Sequence, residues 1–299
     1  MIIKKVKMNS LNWQNKGEII SVNNRNIFVI DTININLNTI ENQKKTLVIL
    51  HGYPTSSFDY YKVLPELSKH YRVVIHDHLG FGFSDKPLKY SYSLIEQADI
   101  ALQLWKQLSL TNVTLLAHDY GTSIATEILA RQNKKQINLQ IDELILCNGS
   151  MHIELSKLRT IQKLLKNKIT GKWVAKLTNY TIFKKNMRNV YFDKTKATEA
   201  ELKEMWLQLE QNNGRKIIHF LSNYINERYY FWHRWIVALK ETNIKTKIIW
   251  AKNDPVAVAA IADLLATEIA NNNLYWIKNC GHFPMLEKPE EWIEKILSD

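Results

Sequence analysis

The chain has 299 residues, 45% hydrophobic and 23% charged, enough apolar content to bury a sizeable core in one enzyme-sized unit. Its longest apolar stretch, residues 256–270, is too short for a membrane span and contains Asp263 and Glu268, and the formal charge of +11 comes with no recognised nucleic-acid-binding motif. Two cysteines, Cys147 and Cys280, with no second Cys or His at metal spacing beside them, exclude a disulfide framework and lead to the expectation of no metal and no cofactor.

The N-terminal stretch MIIKKVKMNSLNWQN has lysines but neither an apolar core of signal-peptide length nor a small-residue cleavage site, so a cytoplasmic protein is expected. GEIISV and NIFVI then read as a β-hairpin. The apolar runs 46–50 and 72–76 read as strands on either side of a helix near 58–69, and 94–107 carries a helical pattern. A strand at 113–117, a helix at 121–132 and a strand at 142–148 follow. Residues 150–242 show helical periodicity throughout and no convincing strand, after which the alternation resumes with strand 246–251, helix 256–270, strand 274–278 and helix 289–297. Strands alternating with helices predict a mostly parallel sheet flanked by helices, with 1–149 and 243–299 as its core and 150–242 as an inserted helical cap.

Three strand ends carry the chemistry. In VTLLAHDYGTSIATEILAR the strand runs into a tight turn and then a helix, and the small residues Ala117 and Gly121 flank Asp119 two positions away on each side. That spacing keeps bulk away from a sharp turn so that the central residue projects at the strand's C-terminal edge. A carboxylate there suits attack on sp³ carbon, which leaves an ordinary alkyl ester that activated water can hydrolyse; attack on an ester would give only a mixed anhydride. An Asp at this place also reads as a helix N-cap. The remaining strand ends bear on that choice. Strand 246–251 leads to Asp254, and strand 274–278 leads to Gly281-His282, giving the chain order nucleophile, acid, histidine. Strand 46–50 ends in His51-Gly52-Tyr53-Pro54, from which the Tyr53 N–H, with that of Tyr120, is expected to form an oxyanion hole. Gly80 and Gly82 lack the spacing and the Lys-Ser/Thr of a nucleotide loop.

The segments HGYPTSSFDYYKVLPEL, DHLGFGFSDKP, YSLIEQADIA and LLAHDYG resemble the α/β-hydrolase branch of haloalkane dehalogenases and epoxide hydrolases. Within that branch the resemblance extends, through SNYINERYYFWHRWIVAL, to the mesoderm-specific transcript protein family, and it covers about residues 45–295. It implies an α/β-hydrolase fold with Asp119 as nucleophile, His282 as base and Asp254 as the acid that orients it. Dehalogenases of this kind usually place a Trp directly after the nucleophile to hold the halide; here that residue is Tyr120. Epoxide hydrolases use cap tyrosines to protonate the departing alkoxide, and Tyr180, Tyr191, Tyr224, Tyr229 and Tyr230 fall in 150–242. Where they carry Asn-Trp-Tyr-Arg, this chain reads Phe231-Trp232-His233-Arg234. Substrate contacts are therefore expected from Tyr224, Trp232 and His233.

Met151 to Val190 holds ten Lys or Arg and one acid, a net +9 of the chain's +11. Within it, residues 153–167 place Leu158, Ile161 and Leu165 on one helical face among lysines, a pattern that suits a cap helix packed on the core and also a peripheral contact with an anionic membrane. The expected function is cleavage of a carbon–heteroatom bond in a small apolar substrate, of the epoxide or alkyl halide type. An ester or lactone hydrolase, or a binding protein that keeps the fold without turnover, are the alternatives.

Overall fold

A computed structural model describes residues 9–34 and 44–298, so the reading of the N-terminus lies, for residues 1–8, outside the described residues. The strands are β1 (Glu18–Val22), β2 (Arg25–Asp31), β3 (Thr46–Leu50), β4 (Arg72–His76), β5 (Asn112–His118), β6 (Gln140–Cys147), β7 (Lys245–Ala251) and β8 (Asn272–Ile277). They form one sheet in the order β1-β2-β4-β3-β5-β6-β7-β8. β1 and β2 pair antiparallel, β2 joins β4 antiparallel, and every pairing from β4 to β8 is parallel. Runs such as Leu47–Leu50, Leu115–Ala117 and Ile248–Ala251 are buried without interruption, as parallel strands covered on both faces must be.

Helices α1 (Ser10–Gln14), α2 (Leu64–His70), α3 (Leu94–Gln107), α4 (Tyr120–Asn133), α11 (Ala259–Glu268), α12 (Pro284–Glu287) and α13 (Pro289–Leu297) flank the sheet. Between β6 and β7 come six α-helices and, among the described residues, no strand: α5 (Thr160–Leu165), α6 (Thr170–Leu177), α7 (Tyr180–Arg188), α8 (Glu199–Glu210), α9 (Gly214–Leu221) and α10 (Tyr224–Glu241).

Two expected helices have different bounds. The helix near 58–69 is a 3-10 turn, Ser57–Tyr60, followed by α2, because Pro65 has no N–H to donate and fits only the first turn of a helix. The helix expected from 256 starts at Ala259, because the N–H groups of Val256 and Ala257 are already bonded to the Asp254 carboxylate. The short α1 escaped the sequence reading. Its buried Trp13 donates Nε1–H to Ser57 Oγ at 3.0 Å, and Ser10 Oγ donates to Glu204 of α8 at 2.6 Å.

The insertion is tied to the core by buried charge. Glu127 of α4 accepts from Arg234 and Trp235 of α10 and from Arg131 of its own helix, at 2.8 to 3.0 Å. Burial alone would raise its pKa, but these donors outweigh it and hold the carboxyl below its ordinary range. The Gly80–Gly82 loop likewise serves structure. It wraps the Asp77 carboxylate, which accepts from Ser57 N–H and Phe83 N–H at 2.7 Å, and a Cβ on Gly82 (φ +46°) would lie 1.9 Å from an Asp77 oxygen.

Candidate active site

Asp119 occupies the turn between β5 and α4 with φ 44° and ψ −107°, a strained conformation for a residue with a Cβ. The turn closes tightly on β3: a Cβ on Gly121 would come within 2.3 Å of the Leu50 carbonyl oxygen. Asp119 stands at the N-cap position of α4 yet makes no side-chain capping bond. Its Oδ2 accepts the Tyr53 N–H at 3.0 Å, so the carboxylate faces the strand-end loops and not its own helix. The Tyr53-Pro54 peptide is cis.

Asp254 and His282 converge on it. His282 Nδ1 is 2.7 Å from Asp254 Oδ2; a carboxylate can only accept, so Nδ1 carries a proton, and Nε2 is turned toward Asp119 Oδ2 at 4.0 Å. Asp254 is saturated. Its Oδ2 also accepts from Asn148 Nδ2 at 2.8 Å, and its Oδ1 accepts from Val256 and Ala257 N–H at 2.7 and 3.1 Å. The histidine loop is fixed through its backbone. His282 N–H donates to the Val190 carbonyl at 2.8 Å, and His118 Nε2–H donates to the His282 carbonyl at 2.8 Å. Burial pushes the His118 pKa down to about 4, which keeps that ring a neutral donor.

Tyr120 begins α4, where its N–H has no partner within the helix. Its side chain is buried behind the turn against Phe81, His78 and Tyr224. Cys147 and Cys280 are both buried free thiols.

Above the three residues lies a cavity of about 90 Å³ of water-accessible space, with Asp119, Tyr53 and His282 in its wall. The insertion supplies an apolar lining from Leu165, Ile182, Phe183, Met187 and Ile218, and polar groups from Arg159, Gln162 and Asn186. Arg159 has a buried Nε without a partner. Such a site takes a small, mainly apolar molecule with few polar anchors.

The expected substrate contacts on α10 are not in this wall. At about 100° per residue, Arg228 and Trp235 share the inward face with Tyr224, whereas His233 falls about 180° away and Trp232 about 80° away. Accordingly His233 is exposed and stacks on half-buried Trp232, and neither lines the cavity, which corrects their assignment. Tyr224 is buried one layer behind the wall. Its ring packs on Tyr53 and Tyr120, and its hydroxyl accepts from Gln162, which does line the cavity.

Sequence reasoning missed Asn148, which orients Asp254, and Arg228. Buried Arg228 donates Nη2–H to the Asp119 carbonyl at 2.9 Å and Nε–H to Ser123 Oγ at 2.8 Å, and its Nη2 is 3.8 Å from Asp119 Oδ1. The sign that could have found it is its i,i+4 spacing from Tyr224. Because Arg228 holds the turn and not the cavity, Arg228→Met is expected to lower kcat by about 10²-fold with KM little changed, and Arg228→Lys by less. Steady-state kinetics beside a thermal unfolding curve checks this; an effect on KM alone would remove Arg228 as a positioning residue.

The alpha/beta hydrolase fold family model matches residues 45–289. The chain is 34% identical to the mesoderm-specific transcript protein of Mus musculus over 284 residues, covering 93% of this chain and 83% of that protein. It is also 34% identical to the putative hydrolase LipZ of Mycobacterium tuberculosis over 253 residues, covering 85% and 87%. Among solved structures, haloalkane dehalogenase DbeA from Bradyrhizobium elkani superposes with a TM-score of 0.79 at 16% identity, covering 94% of this chain and 95% of that one. Epoxide hydrolase CorEH does so with 0.73 at 17%, covering 94% and 96%. With its mostly parallel sheet, strand-end turn and matched family model, this chain belongs to the α/β-hydrolase family and is a hydrolase.

Proposed function

We propose that this hydrolase cleaves a carbon–heteroatom bond at sp³ carbon, of the epoxide or alkyl halide type, through an ester on Asp119, beneath a cap formed by residues 150–242. The observation that carries the reading is a carboxylate, in place of a hydroxyl, at the turn between β5 and α4, within 4.0 Å of a histidine held by a saturated Asp254. Asp119 attacks the carbon, the carbon–heteroatom bond breaks, and the leaving group departs with the bonding electrons. His282 then takes a proton from water, whose oxygen adds to the ester carbonyl carbon. The charge that gathers on the former carboxylate oxygen meets the Tyr53 N–H, already 3.0 Å from Oδ2, and the Tyr120 N–H. On collapse the ester carbon–oxygen bond breaks, His282 gives its proton to the departing alkoxide oxygen, and an alcohol, or a diol from an epoxide, leaves as Asp119 loses the remaining water-derived proton and returns to its carboxylate.

The buried Tyr120 ring and the position of Tyr224 behind the wall leave Gln162, Asn186 and Arg159 as the cavity's donors to the leaving group. Such donors meet the charge that develops on the leaving atom, oxygen or halide alike. A screen of epoxides, haloalkanes and short esters, with Asp119→Ala as control, tests the proposal. Turnover of epoxides or haloalkanes that vanishes in the variant is expected; turnover confined to esters and retained in the variant would defeat it.

A further inference from the structure

The amphipathic segment 153–167 turns one apolar face inward: Leu158 and Ile161 pack on the core and buried Leu165 lines the cavity, while Leu164 beside them is exposed. The next helix does the opposite. On α6, Gly171 and Ala175 are buried, while Ile169 at its N-cap and Trp173 and Leu177 within it are 80%, 64% and 70% exposed. Their i, i+4, i+8 spacing puts the three on one outward stripe. Large apolar side chains in a continuous exposed row differ from the scattered ones any surface carries, and they mark a contact surface.

The charges beside the stripe identify the partner. Lys163, Lys168, Lys172 and Lys176 are exposed, and among the described residues none of them pairs with a carboxylate. From Leu155 to Thr198 the one acid is Asp193, and Glu199 is taken by Lys184 and Arg188. Lys176 reaches to 6.0 Å over the Trp173 ring, so charge and apolar surface share one face. A water-soluble protein partner would need a dense acidic rim around an apolar groove to match this pattern. A bilayer with anionic headgroups offers both requirements at once: an apolar interior for Ile169, Trp173 and Leu177, and phosphate charge at the level of the lysines.

We propose that the outer face of α6 is a docking surface for anionic lipid bilayers. The stripe lies next to the cavity: Leu177 is followed by Thr178, and Leu165, Thr178, Ile182 and Phe183 all line it. Docking therefore brings the cavity to a pool of lipophilic molecules dissolved in the bilayer, and makes membrane-partitioned compounds the substrate class. This last point rests on the proposed reaction; docking itself does not.

Flotation of the whole chain with vesicles separates the outcomes. The chain is expected to float with vesicles containing about one third phosphatidylserine, at least about tenfold more strongly than with phosphatidylcholine alone, and less as salt is raised. Replacing Ile169, Trp173 and Leu177 together by Ser, or Lys168, Lys172 and Lys176 together by Gln, is expected to cut that binding about tenfold or more without lowering the thermal midpoint. Quenching by brominated lipid is expected to weaken in Trp173→Phe. Equal binding to both vesicles, full binding by the serine variant, or a concentration-dependent dimer that the serine variant abolishes would each overturn the proposal. Because flotation needs no turnover, it stands or falls apart from the chemistry at Asp119.

Discussion

Replacing Asp119 by Ala is expected to lower turnover of an accepted substrate by at least about 10⁴-fold, with the fold retained. The magnitude follows from covalent catalysis: without the carboxylate there is no attacking atom, and the residual rate comes from binding alone. Structural loss is expected to be small. The turn is held from outside by Arg228 on the Asp119 carbonyl and by Gly121 N–H on the His51 carbonyl, and both bonds use main-chain atoms that Ala keeps. Alanine also leaves Arg228 without a nearby carboxylate, a cost that its bonds to Ser123 and the Asp119 carbonyl limit. Thermal unfolding within about 2 kcal/mol of the parent, beside loss of activity, is the expected pair of results. Activity within tenfold of the parent would mean that Asp119 is a structural residue of the turn.

The second half-reaction depends on His282, and it should depend on pH in a defined direction. Burial works against the charged ring, but Asp254, by charge and hydrogen bond, outweighs it, aided by Asp119 and Asp59, so the pKa lies above the ordinary imidazole value of 6.5. A base must be neutral to take a proton. Turnover is therefore expected to fall on the acid side from a pH above about 6.5, earlier than for an unperturbed histidine. Attack by Asp119 needs no base, so below that pH the parent protein should itself begin to accumulate the ester.

Much of this arrangement was legible because it lies on parallel strands. These strands are short runs rich in apolar residues that end in Gly, Pro or polar turns, and chain order places Asp119, Asp254 and His282 at the same edge of the sheet. The insertion was less legible. In a helix, a residue's direction depends on phase, so aligning Phe231-Trp232-His233-Arg234 by family motif put His233 in the site when it is half a revolution from Tyr224. Arg228 was hidden for another reason: a charged side chain within a helical pattern reads as a solvated face, and only tertiary packing against Ser123 and Asp119 reveals it as buried. Asn148 looked like the residue that ends a strand. Its positive φ and its two bonds, to Asp254 and to the Ala251 N–H, join two strand ends and exist only once β6 and β7 are paired. The outward stripe on α6 was equally unreadable, since an apolar row at helical spacing does not say which way it faces.

The central claim is that Asp119 forms a covalent ester which His282 helps water to hydrolyse. His282→Gln separates the two halves: glutamine keeps much of the ring's bulk but cannot act as a base at this pH. Turnover should fall by about 10³-fold or more while the first step survives. Intact-mass spectrometry of His282→Gln after incubation with a compound that the parent hydrolyses, followed by peptide mapping, is the most direct measurement. The mass is expected to rise by that of the transferred alkyl group, on the peptide containing Asp119, and not in the Asp119→Ala, His282→Gln double variant. A variant that neither turns over nor gains mass, or an adduct on any residue other than Asp119, would contradict attack by Asp119 on sp³ carbon.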